Sequence, residues 1–307
     1  MDIGVENLTI IGAGAWGSVL AQLASSNHHQ VNLWSRHGSE SIEQSIEGKS
    51  IVISAISIKG VASIANQLSR SISSDVILVT ATKGLDPETG RTPSQIWQAA
   101  FPHNSIVVLS GPNLSQEIAL GLPAATVVAS KSESAAHLIQ KVFATKSFRV
   151  YTNPDPLGVE LGGTLKNVIA IAVGVCDGLQ LGTNAKAALI TRAMTEIIRV
   201  GKHFGAMPET FWGLSGLGDL LATCNSSLSR NYQVGYGLAQ GKSLSQVIGA
   251  IIGTAEGVNT ANVLIELADR EQIAVPICRY VYRLLNDEIT PLQAVEGLME
   301  RDLKPEV

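Results

Sequence analysis

Apolar positions in the first half of the chain fall in short runs, separated by stretches with helical spacing. The run 8–11 reads as a strand, and Val19, Leu20 and Leu23 mark the helix after it. Residues 31–34 read as a second strand. Residues 51–56 are almost continuously apolar, as a strand buried on both faces requires. Further strands are predicted at 76–80, 105–109, 125–129 and 148–151, with helices at 60–68, 93–100, 114–120 and 133–143. This alternation predicts a parallel sheet with helices on both faces. Thr152-Asn153-Pro154-Asp155-Pro156 ends it with two prolines and two turn formers. Beyond that point the period changes. Residues 157–179 read as one long apolar helix and 183–204 as another, with Leu189, Ala193 and Ile197 four apart. Shorter helices are predicted at 230–240, 244–251, 256–269, 276–285 and 291–299. The expected fold class is α/β: a Rossmann-type doubly wound sheet over 1–153, then an all-helical domain over 154–307 that carries substrate and catalysis.

Composition narrows the function. A chain of 307 residues suits two domains, and 45% hydrophobic residues exclude disorder. A net charge of −4 without a long basic block excludes nucleic acid as a partner. Cys176, Cys224 and Cys278 have no metal-ligand spacing, so no metal is expected and a reducing compartment is. Residues 1–7 lack the basic and apolar regions of a signal peptide. The longest apolar run, 168–176, is too short to span a bilayer. A cytoplasmic protein without membrane insertion is expected. The apolar second domain makes a homodimer the expected assembly.

The candidate chemistry starts at Gly12-Ala13-Gly14-Ala15-Trp16-Gly17, between a strand and a helix. Gly12 allows the turn, Gly14 lets backbone approach a pyrophosphate, and Gly17 lets helix pack on strand. Strand two closes at Ser35-Arg36-His37, where an acid would bind a ribose hydroxyl. An arginine there suits a 2′-phosphate, so NADP(H) is predicted over NAD(H), with NAD(H) still usable. The competing view is that Arg36 and His37 form a solvated loop.

Ligands in such sheets bind beyond the carboxyl ends of the strands. Lys83 and Ser110-Gly111-Pro112-Asn113 lie there. Lys83 either points a cation into the crevice or is a solvated loop lysine. In the second half, Gly162 and Gly163 weaken a helix unless something comes close. Lys166 shares a face with Ala170, Val173 and Gly174, an expensive place for a charge unless it is functional. A lysine beside a carbonyl carbon can protonate the forming alkoxide and act as base in reverse. Asn167 could orient it. Asp219 sits in a Gly-rich turn and could fix a lysine or cap a helix. Ser229-Arg230-Asn231 at a helix start offers a phosphate site. Gly253-Thr254-Ala255-Glu256 reads as a turn into a helix. Lys186 is expected at the surface and His203 in the core.

These blocks together, in this order, resemble the NAD(P)-dependent glycerol-3-phosphate dehydrogenase family of bacteria. The resemblance spans almost the whole chain through Gly12–Gly17, Thr82-Lys83-Gly84, Ser110-Gly111-Pro112, Glu160–Asn167, Thr191-Arg192, Gly216–Leu220, Ser229–Asn231 and Glu256–Val258. It implies reversible reduction of dihydroxyacetone phosphate to sn-glycerol 3-phosphate for glycerophospholipid synthesis. It implies Lys166 as proton donor and acceptor. Substrate contacts would come from Lys83, Gly111, Asn113, Lys166, Asp219, Ser229, Arg230 and Asn231. Cofactor contacts would come from Gly12, Gly14, Ala15, Trp16, Gly17, Arg36, His37, Lys83, Ser115, Arg230, Thr254 and Glu256. Three departures stand out: a short polar segment at 38–49, Asn113 where the family has Ser, and Thr254 where an aliphatic residue is usual. The alternatives are a dehydrogenase of this architecture acting on another hydroxy acid, and a non-catalytic NADP-sensing protein. The Ser229–Asn231 phosphate site opposes the first of these and Lys166 the second.

Overall fold

The computed structural model describes residues 4–251 and 253–303. Its first half alternates β1 (Asn7–Ile11), α1 (Ala15–Ser26), β2 (Gln30–Trp34), α2 (Ile42–Ile46), β3 (Ile51–Ser54) and α3 (Ile58–Leu68). It continues through β4 (Ile77–Thr80), α4 (Pro93–Ala100), β5 (Ile106–Ser110), α5 (Ser115–Ala119), β6 (Ala124–Ala129), α6 (Glu133–Phe143) and β7 (Phe148–Asn153). The seven strands form one sheet in the order β2-β1-β3-β4-β5-β6-β7. Sequence alternation predicts parallel pairing throughout, but β6 runs antiparallel to β5, with Val108 opposite Ala129. The reason is the connection. The connection over 111–123 holds the five-residue helix α5, about 7.5 Å long and too short to run back along the sheet face, so the chain folds back instead. β7 then pairs parallel with β6.

Each sheet face buries its own apolar layer. Leu8, Ile10, Ile53 and Val107 pack toward Leu20 of α1 and Ile139 of α6. Ile11, Val52 and Leu78 pack toward Val61 of α3 and Trp97 of α4. The polar segment 38–49 is less empty than its composition implies. Ser41 and Gln44 make a capping box for α2, and its Ile42 and Ile46 are buried.

The second half is helical: α7 (Pro156–Gly178), α8 (Gly182–His203), α9 (Asp219–Cys224), α10 (Arg230–Ala239) and α11 (Leu244–Ala250), then α12 (Glu256–Arg270), α13 (Pro276–Leu285) and α14 (Pro291–Met299). A 3₁₀ turn (Pro208–Trp212) and a π turn (Leu214–Gly218) lead into α9. Helix α7 is the axis of this half. The apolar run seen in sequence is only part of it. The full helix is long and apolar enough to cross a membrane, yet 94% of its apolar window is buried inside the protein. Its glycines admit other helices at backbone distance. A Cβ on Gly174 would lie 2.1 Å from the Tyr232 carbonyl oxygen, and one on Gly235 of α10 would lie 1.8 Å from that of Ile171.

The chain enters α7 through Asp155, whose buried carboxylate is fully used. Oδ1 accepts from Gly158 N–H at 3.0 Å, which caps the helix. Oδ2 accepts from Met207 N–H and Thr210 Oγ1, both at 2.8 Å. Two expectations reverse here. Lys186 is mostly buried and bonds Asp177 Oδ2 at 2.7 Å. His203 is exposed, because the last turn of α8 leaves the core and places it 3.3 Å from Glu271.

Candidate active site

The site forms where the carboxyl ends of β1, β3, β4 and β5 meet α7. The glycine turn comes first. Gly12 has φ +117°, and a Cβ on it would lie 2.5 Å from the Ala55 carbonyl oxygen. Only glycine is comfortable there. Gly17 packs on Gly12 at a distance that forbids any side chain. Gly14 has open space where a Cβ would be, and no side chain caps α1. Ala15 is exposed beside it. The free N–H groups of this twelve-residue helix therefore face the crevice. Trp16 is half-buried against the core under α1. Ser35 follows β2, and Arg36 and His37 are exposed, joined by a 3.2 Å bond from Arg36 Nε to His37 Nε2.

Two lysines from different halves of the chain share one carboxylate. Lys83, after β4, donates to Asp219 Oδ2 at 2.6 Å and to the Gly111 carbonyl at 3.3 Å. Lys166, on α7, donates to Asp219 Oδ1 at 2.7 Å and to Thr223 Oγ1. Each ammonium has three N–H donors, so each keeps one for a ligand. Asp219 is not in a turn, as its glycines suggest. It opens α9, and its carboxylate reaches back to α7 rather than capping the helix. Burial pushes the Lys166 ammonium down to about 8, against the opposing pull of Asp219. Cys224, next to Thr223, is pushed up to about 12 by burial and stays a thiol.

Gly163 explains the glycine pair of α7. A Cβ there would lie 2.2 Å from Ser110 Oγ and 3.4 Å from Lys83 Cε. The helix must therefore present bare backbone to β5 and the Lys83 loop. Thr164 Oγ1 accepts from Gly84 N–H at 3.1 Å, and Asn259 Nδ2 donates to the Leu85 carbonyl at 2.8 Å. The second half thus holds the loop that carries Lys83.

The Ser229–Asn231 triplet divides its labour. Ser229 Oγ caps α10 by accepting from Tyr232 N–H at 3.2 Å, which leaves its O–H free to donate. Arg230 heads α10 beside Gly253, and Gly253 has no room for a side chain next to the guanidinium. Asn231 is buried and mostly committed: its Nδ2 donates to Asn167 Oδ1, and its Oδ1 accepts from Gly257 N–H, both at 2.9 Å. It ties α10 to α7 and α12. Thr254 is exposed in the turn before α12. Ser115 opens the short helix α5.

Several buried polar atoms in this crevice have no partner: Ser110 Oγ, Asn113 Oδ1 and Glu256 Oε2. Buried polar groups are nearly always bonded, so these atoms are suited to bonding a ligand or water in the crevice. Glu256 Oε1 accepts from Ser57 Oγ at 2.9 Å across the seam, and burial pushes its carboxyl above the usual range. Asn113 Nδ2 donates to Thr126 Oγ1 at 3.0 Å, so the amide replaces a hydroxyl without losing its anchor. An open glycine turn, free helix N–H groups and unpartnered acceptors are what a dinucleotide needs, and the residues fit one. Sequence reasoning missed Thr164 and Thr223. Only Thr223 had a signal, four residues after Asp219 and so on the same helix face.

The family model described as NAD-dependent glycerol-3-phosphate dehydrogenase C-terminus matches residues 155–296. The corresponding N-terminus model matches 7–44 and 37–136. The chain is 64% identical over 300 residues to "Glycerol-3-phosphate dehydrogenase [NAD(P)+]" of Synechocystis sp., covering 97% of this chain and 95% of that protein. It is 53% identical over 300 residues to the protein of that name from Gloeobacter violaceus, covering 97% and 98%. The crystal structure of glycerol-3-phosphate dehydrogenase from Coxiella burnetii superposes with a TM-score of 0.93 at 32% identity, covering 97% of this chain and 99% of that one. The glycine turn, the shared carboxylate and these likenesses run the length of the chain, which belongs to the NAD-dependent glycerol-3-phosphate dehydrogenase family.

Proposed function

We propose that this protein catalyses the reversible reduction of dihydroxyacetone phosphate to sn-glycerol 3-phosphate with NAD(P)H. The observation that carries this reading is the Lys166–Asp219–Lys83 chain where the carboxyl ends of β4 and β5 meet α7. A bound nicotinamide supplies or accepts the hydride. Lys166 holds the proton. Near neutral pH its ammonium, with a pKa of about 8, donates to the oxygen at C2 as charge develops there. In the oxidative direction the neutral amine takes that proton back. Asp219 fixes the lysine heads, and its charge offsets part of the cost of burying them. Lys83 aims its remaining N–H at the substrate. The free Ser229 hydroxyl and the Arg230 guanidinium at the start of α10 suit the phosphate. Asn167 and Asn231 hold the two helices in register.

The division at 153/154 falls between β7 and α7 and supports a nucleotide domain followed by a substrate domain. Arg36 and His37, with no acid at the end of β2, favour NADP(H) over NAD(H). We further propose a cytoplasmic homodimer that supplies glycerol 3-phosphate to glycerophospholipid synthesis. Exposed Trp212 (60%) and Met207 (49%) support the dimer, and light scattering would measure it. The main test follows NADPH absorbance with dihydroxyacetone phosphate. Oxidation with glycerol 3-phosphate formed supports the assignment. Cofactor binding without turnover would instead indicate a sensor.

A further inference from the structure

A second cavity lies behind the site, at the seam between the two halves. It has a volume of about 160 Å³. Its wall is mostly apolar, with Leu85, Leu161, Leu165, Phe204, Leu264 and Leu267, and Thr92 and Gln95 add polar groups on one side. Its mouth is cationic, because Arg91 and Arg270 reach it and both are exposed. Arg91 makes no ion pair among the described residues. Arg270 spends its Nε on Glu271 at 3.0 Å, and Glu271 is shared with His203. None of these groups takes part in the chemistry derived above.

We propose that this cavity binds a small carboxylate whose apolar body has about six to eight carbons. The size follows from the volume, since an apolar cavity of about 150 Å³ accommodates benzene. The head group follows from the mouth. A guanidinium fork takes a carboxylate in bidentate fashion, and Arg91 has no competing acid. The place gives the site its consequence. Leu85 is two residues from Lys83, and its carbonyl is held by Asn259 of α12. Leu165 precedes Lys166 on α7. A ligand here touches the backing of both lysines without entering their cleft.

The test is calorimetric titration of the full-length protein with phenylacetate. Glycerol 3-phosphate and NADPH are present, a reduced pair that fills the catalytic cleft without reacting. Saturable binding in the millimolar range is expected to persist under these conditions. Arg91→Ala should weaken phenylacetate about tenfold or more and leave its neutral analogue 2-phenylethanol within about twofold. Leu264→Trp, which fills the cavity, should abolish binding of both while dihydroxyacetone phosphate is still reduced. Three results would overturn the proposal: no saturable binding, displacement by the reduced pair, or equal affinity in Arg91→Ala. The arginine variant alters an exposed side chain, so it decides the matter even if the tryptophan variant fails to fold.

Discussion

Lys166 carries the heaviest demand of any residue here: a cation with little water around it. Burial lowers its pKa to about 8 while Asp219 pulls the other way. The direction of catalysis then sets the sign of the pH response. Oxidation of glycerol 3-phosphate needs the neutral amine, so its kcat/KM should rise with pH and level off above about 8. Reduction needs the ammonium and should fall over the same range. Lys166→Ala should lower kcat by about 10²–10⁴ and leave NADPH affinity unchanged, which fluorescence titration would check. Asp219→Asn removes the group that supports the charge, so the inflection in the oxidative profile should move to lower pH. A profile that stays in place would show that Asp219 does not act on Lys166. Lys166 was legible in sequence because a charge on an apolar helix face needs a reason. Thr223 was passed over despite its spacing of four from Asp219, because a threonine in an apolar helix usually has no role beyond packing.

Among the elements, α7 joins packing to chemistry. One face meets α10 through glycines at backbone distance, another meets Ser110 and Lys83, and Lys166 projects between them. Gly235→Ala puts a methyl group against the Ile171 carbonyl and should cost about 1–3 kcal/mol, read as a lower denaturant midpoint with unchanged m. Long elements such as α7 and α8 were legible because apolar periodicity accumulates over many turns. Helix α2 was not, because five residues with two buried isoleucines leave almost no period. The antiparallel β6 escaped for another reason. Strand direction depends on the length of the connection, not on the apolarity of the strand. Helix α9 hid behind its glycines, which a wide π turn uses to bring Asp219 to the lysines.

Across the whole molecule, the two halves are joined by polar contacts that sequence cannot reveal, such as Ser57 to Glu256, 199 residues apart. Glu160 of α7 is a buried carboxyl in one of these links. Its carboxylate accepts from Ser94 N–H at 2.8 Å and Ser94 Oγ at 2.5 Å, at the start of α4. Burial pushes its pKa up to about 7, the Ser94 and Thr92 bonds opposing. The folded protein therefore holds this proton where the unfolded chain has lost it. The stability that Glu160 contributes is full below about pH 4.5 and lost as pH rises to about 7, by about 3 kcal/mol. Glu160→Gln should flatten that part of the stability curve, measured by denaturant titration from pH 5 to 8. A pH-independent difference between variant and parent would refute the assignment. Asp155 has a different consequence. The chain crosses between the halves once, and just past that crossing the Asp155 carboxylate fixes the start of α7 to the turn at Met207–Thr210 within the second half, while Glu160, further along the same helix, holds Ser94 of the first. A joint so bolted is a poor hinge. Scattering profiles with and without NADPH should give the same radius of gyration, and heating should unfold both halves in one calorimetric peak. Opening and closing of the cleft then falls to side chains and loops, and substrate meets a cleft already shaped to receive it.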